Sequence, residues 1–210
     1  MTVVLVLITA LFFILIHGVL RRRMEQGAVP VAIPVDLELA KNHIWIREQG
    51  EGNVRIGIDR FLSRLMGPPD SLVLPIRRTP VSDRAHAMTL RFGTLAMPLA
   101  SPVTGSVVSV NRKAVNNPGL VRDDPYGKGW LLEIRRDPER DRSSSYLVGE
   151  PTPWLAGQID NAIRFFMGKG EMASVATAQD GGALLEGLVW QYGPEVREEF
   201  IQRFASLHQE

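Results

Sequence analysis

The side chains able to do chemistry in this chain of 210 residues are few and widely spaced. There is no cysteine. That excludes a disulfide framework, a thiolate zinc site, a Cys-ligated iron–sulfur cluster and a cysteine nucleophile. The four histidines, His17, His43, His86 and His208, show no H-x-x-x-H or H-E-x-x-H spacing, so no metal site is assigned. No G-x-S-x-G elbow and no Walker motif occurs, and no catalytic residue is assigned. What remains is amine chemistry. Of 24 basic residues only Lys41, Lys113, Lys128 and Lys169 are lysines.

The charge pattern narrows the partners. A net charge of +1 lacks the basic excess of a nucleic-acid binder, and no nucleic acid is expected. Thr2–Leu20 carries no charge, and 15 of its 19 residues are apolar. A helix of that length spans about 28 Å, roughly a bilayer's hydrocarbon core. Arg21–Arg23 follow directly, the reverse of a signal peptide's order. Residues 1–23 are therefore expected to be a transmembrane anchor with a basic stop. The protein is expected in the cell inner membrane, single-pass, with the N-terminus outside and the body in the cytoplasm. His17 would lie one turn from the cytoplasmic end. It is a candidate contact for a haem or chlorophyll metal, or a side chain reaching the headgroups.

The elements that must position any site come next. Residues 24–41 read as a linker or a first strand. From residue 42 short strands alternate with turn clusters: His43–Arg47, Val54–Ile58, Ser71–Pro75, Met88–Phe92, Leu95–Leu99, Ser106–Asn111 and Gly129–Arg135. Asp59 is placed to cap a helix Arg60–Met66 that Gly67-Pro68 ends. Gly93-Thr94 reads as a hairpin turn. Residues 42–136 are thus mainly β, and residues 137–210 form a C-terminal helical extension. Its helices are Pro153–Met167, Ala183–Tyr192 and one from Pro194 to about Leu207. Their apolar faces require cover, from the barrel or from another subunit.

Several blocks in residues 42–136 carry a resemblance. They are His43-Ile44-Trp45-Ile46, Gly57-Ile58-Asp59-Arg60-Phe61, Met66-Gly67, Ser101-Pro102-Val103-Thr104-Gly105 and Val107–Asn111. The longest is Asn117-Pro118-Gly119-Leu120-Val121-Arg122-Asp123-Asp124-Pro125-Tyr126-Gly127-Lys128-Gly129-Trp130-Leu131. Together they resemble the H protein of the glycine cleavage system. The resemblance implies a lipoyl/biotinyl-carrier-like flattened β-barrel (barrel-sandwich hybrid). It implies that Asp123-Asp124-Pro125 is a structural loop and that Trp45 and Trp130 belong to the core. It also implies a lysine, acylated by lipoic acid, seven residues before the Ser of the S-P-V turn. Here that position is Thr94, and residues 42–112 contain no lysine. Arg91 stands where the family has a glutamate.

These readings predict a degenerate, lipoate-free member of the family with no cofactor. Leu95, Met97 and Leu99 would fill the barrel, or Phe92 and Met97 would dock on a partner. The leading expectation is a non-enzymatic, membrane-anchored scaffold subunit of a bacterial energy-transducing complex, respiratory or photosynthetic. Its partners would be the other subunits, with residues 2–20 in the bilayer. The rivals are a membrane-tethered carrier of an enzyme system and an adaptor recruiting a soluble enzyme to the membrane.

Overall fold

A computed structural model describes residues 33–145, 147–169 and 186–206. The expected anchor, Arg21–Arg23 and His17 lie outside the described residues, as do Asp180–Gly182. Among the described residues no helix is long and apolar enough to cross a membrane.

Among the described residues nine strands form two antiparallel sheets. They are β1 (Glu38–Leu39), β2 (Ile44–Gly50), β3 (Asn53–Ile58), β4 (Ser71–Val73), β5 (Pro80–Val81), β6 (His86–Phe92), β7 (Leu95–Ala100), β8 (Gly105–Val110) and β9 (Leu132–Arg136). The larger sheet runs β1-β2-β3-β9-β8-β5, the smaller β4-β6-β7. Alternation aims one side chain in two inward. Ile44 and Ile46, Val54 and Ile56, Leu132 and Ile134, Met88 and Leu90, and Met97 and Leu99 thereby share one core. This is the mainly β barrel that the strand spacing and the motif blocks predict.

Two glycines are fixed by close approach. A Cβ on Gly57 would stand 2.7 Å from the Trp45 ring, and one on Gly105 2.0 Å from the Arg135 carbonyl oxygen. Trp45 therefore lies flat on β3, where its indole N–H reaches the carbonyls of Ile58 (3.1 Å) and Pro125 (3.0 Å). It packs with Leu37, Leu39 and Tyr126 in a satellite cluster. Trp130 differs from expectation. It is only half-buried, with the Arg55 guanidinium 4.8 Å above its ring. The last strand also starts later than expected. The Gly129 N–H is held by the Asp124 carbonyl at 2.8 Å, so the loop stays closed until Leu131.

Helix α1 (Arg60–Met66) begins where the cap predicts. Asp59 Oδ1 accepts from the Leu62 N–H at 2.8 Å, worth about 1 kcal/mol. Short α2 (Arg112–Asn116) and α3 (Leu120–Asp123) bridge β8 to β9. In the extension, α4 spans Pro151–Met167 and α5 Pro194–Phe204, both with Pro in the first turn. The helix expected over Ala183–Tyr192 is not formed across its described part. Gly187 is left-handed at φ 66°, which interrupts it, and only a 3-10 turn, Leu188–Gln191, follows.

The extension covers the barrel of its own chain. Trp190 donates to the Met66 carbonyl at 2.5 Å, and its ring meets Phe92 at 5.7 Å. Phe204 meets Phe61 at 6.1 Å. Phe165, Phe166 and Phe200 are buried between α4 and α5. Burial of each such ring contributes about 1.5–3 kcal/mol.

Candidate functional site

The β6–β7 hairpin is set by its turn and its inward face. Phe92 pairs with Leu95 across Gly93-Thr94. Gly93 has φ 58°, which fits a type II′ turn opened by glycine. The Gly93 N–H donates to the Asp70 carboxylate, tying the tip to the loop before β4. Met88, Leu90, Phe92, Met97 and Leu99 are buried, while Arg91, Gly93, Thr94, Ala96 and Pro98 are exposed. Phe92 and Met97 therefore fill the barrel, and the docking role considered for them has no exposed surface to act through.

Thr94 stands at the exposed turn with a hydroxyl and no amine. Its neighbours across a cleft come from the extension. Glu195, Glu198 and Glu199 on α5 line the same cleft as Thr94, Leu95 and Pro98. Glu199 is held by Lys169, at the end of α4, at 2.5 Å. These carboxylates escaped the sequence reading because they lie about 100 residues beyond the hairpin. The only signal for them was the polar face of the last helix. A lipoyl amide requires a primary amine, and none stands at this turn. The tip does not fit that group.

His43 belongs to the core. His43 Nδ1 lies 2.7 Å from Asp59 Oδ2, and both side chains are fully buried. The imidazole stacks on Phe61 at 4.7 Å and meets Trp154 at 4.8 Å. His43 adopts a left-handed φ of 62°; the Asp59 bond and the stacking offset a cost of about 1 kcal/mol. His86 is exposed and pairs with Thr89 at 2.8 Å. Among the described residues no cluster of three or more potential metal ligands occurs.

The Asp123-Asp124-Pro125 segment is a packed loop. The Asp124 carboxylate accepts from the Lys128 N–H at 2.8 Å. The Tyr126 hydroxyl accepts from the Arg60 N–H at 3.2 Å. Burial, followed by the Asp59 charge, pushes the Tyr126 phenol above its ordinary range. Arg122 bonds Asp123 at 2.7 Å and reaches Glu186 at 2.5 Å. Chiefly the Asp123 hydrogen bond, against the cost of burial, raises its pKa.

A sequence profile described as Glycine cleavage H-protein matches residues 37–151 of the chain. The chain belongs to the glycine cleavage H-protein family. It is 34% identical over 140 residues to the glycine cleavage system H protein of Magnetococcus marinus, covering 64% of this chain and 96% of that one. It is 33% identical over 105 residues to the protein of the same name from Idiomarina loihiensis, covering 50% and 81%. A crystal structure of a glycine cleavage system H protein from Mycobacterium marinum superposes with a TM-score of 0.52 at 27% identity. That match covers 60% of this chain and 98% of the other.

These relatives correct the leading functional expectation. They carry the name of the glycine cleavage system, not of a respiratory or photosynthetic complex. The assignment to an energy-transducing membrane assembly, with its subunits as partners, is overturned. The inner-membrane localisation is corrected with it: the relatives are named as glycine cleavage system H proteins, and among the described residues no helix is long and apolar enough to cross a membrane. That expectation rested on an uncharged apolar run followed by three arginines, whereas the family match covers residues 37–151. In this family the H protein is a lipoyl carrier and not a catalyst.

Proposed function

We propose that the chain is an H-protein-type binding module that engages the enzymes of a glycine cleavage system without carrying a lipoyl group. It acts as a docking counterpart of the carrier and is not itself an enzyme. One observation carries the reading: the hairpin turn that presents the modifiable side chain in this family ends in Thr94. A threonine hydroxyl does not form the stable amide that lipoylation requires. Lys41, Lys113, Lys128 and Lys169 lie outside the β6–β7 hairpin.

The family match supports shared recognition. The barrel, the long Asn117–Leu131 loop and the exposed hairpin all fall within residues 37–151. The α5 carboxylates beside Thr94 give the tip an acidic setting drawn from the extension instead of the hairpin.

A reconstituted glycine cleavage system tests this. The full chain added in excess over a lipoylated H protein is expected to lower turnover by competition. Substituted for that H protein, it is expected to give none. Turnover supported by the chain alone would restore the carrier reading. No effect on turnover at any excess would remove the shared recognition.

A further inference from the structure

The barrel carries a second surface, away from the hairpin tip, whose composition the H-protein reading does not use. Between the chain leaving β4 and the β8–α2 segment lies a groove of about 490 Å³. Its walls include Leu74, Ile76, Val108 and Val115, and Arg77 and Arg112 stand on it. Ile76 is 79% exposed and Val115 39%. Of the exposed large hydrophobics among the described residues, Val35, Val73, Ile76, Val115 and Met167, two, Ile76 and Val115, line this groove. Scattered singly such residues need no explanation, but gathered in a concavity they mark a contact surface.

The charges identify the occupant's chemistry. Among the described residues neither Arg77 nor Arg112 forms an ion pair. Arg78 and Lys113 follow them in sequence and add to the same sign. No acidic residue lines the groove. We infer that this groove docks an amphipathic segment of a partner protein, its apolar residues seated on Ile76 and Val115 and its carboxylates on Arg77 and Arg112. The chain's own Thr2–Leu20 is apolar enough but holds no carboxylate, so it leaves both arginines unanswered. Arginine is enriched among the residues that dominate binding energy at interfaces.

The test uses the full chain and a defined probe. The probe is a fluorescein-labelled synthetic helix with leucines on one face and glutamates on the other. Its control carries lysines in place of the glutamates. Fluorescence anisotropy is expected to show saturable binding of the glutamate helix and roughly tenfold weaker binding of the lysine helix. The double variant Arg77→Glu, Arg112→Glu and the single variant Ile76→Ser are each expected to weaken the glutamate helix by roughly tenfold. Circular dichroism checks that both stay folded. A photo-crosslinking amino acid at position 76 is expected to join the glutamate helix. No saturable binding, equal binding of the two helices, or binding indifferent to the variants would overturn the inference. So would a crosslink to a second copy of the chain or to residues 2–20.

Discussion

At the scale of single residues, the hairpin turn and the buried His43–Asp59 pair show how one side chain can decide a role. Asp59 does two jobs. One carboxylate oxygen caps α1 and the other holds the His43 ring. Asp59→Ala removes the cap and leaves a buried imidazole nitrogen unpaired. The expected loss is about 2–4 kcal/mol, read from urea unfolding. A loss below about 1 kcal/mol would mean that neither contact contributes as described. Tyr126 gives a pH signature. Its phenol is pushed up in the folded state, chiefly by burial. Below the ordinary tyrosine pKa near 10 both states are neutral at this residue and stability is unaffected. Above it the unfolded chain releases the proton first, so stability falls as pH rises. In Tyr126→Phe that alkaline decline is expected to be shallower in unfolding curves taken through this range. At neutral pH the variant is expected to be about 1 kcal/mol less stable, having lost the acceptor of the Arg60 N–H.

At the scale of elements, local signals were legible and distant ones were not. The α1 cap, the Gly93-Thr94 turn and the strand alternation depend on neighbours within a few residues, and each sits where the chain places it. Over its described residues, 186–192, the helix expected at Ala183–Tyr192 is replaced by a 3-10 turn, because Gly187 takes a left-handed φ that the apolar periodicity around it does not announce. Trp130 failed because its indole is satisfied by an arginine above it at the surface. The site's acidic lining was invisible for a different reason. Glu195, Glu198 and Glu199 approach Thr94 only once the extension docks on the barrel. That docking is led by Trp190, which bonds Met66 and packs on Phe92. Trp190→Ala is expected to destabilise the docked extension by about 3 kcal/mol. Hydrogen exchange should show faster exchange across Leu188–Phe204, with the β2–β3–β9 amides unchanged. Equal acceleration in both regions would mean that extension and barrel unfold as one unit.

At the scale of the molecule, the chain joins an H-protein barrel to helices that close over the side of its hairpin. Residues 37–151 match the family, and the described helices of the extension bury apolar residues in one cluster with that barrel. The motif blocks made the family legible in the sequence because they encode packing that the barrel cannot form otherwise. Gly57 against Trp45 and Gly105 against Arg135 are two such contacts. The assembly was not legible. An apolar run of 19 residues satisfies the length of a membrane span without saying what the folded body binds. The body's own features point instead to the glycine cleavage H-protein family.

The most direct measurement is the intact mass of the full chain recovered from cells that express lipoate-attaching enzymes. The native chain is expected at its unmodified mass, and Thr94→Lys is expected to gain a single lipoyl adduct on Lys at that position. A lipoyl adduct on the native chain would contradict the reading of this protein as an H-protein-type module that carries no lipoyl group.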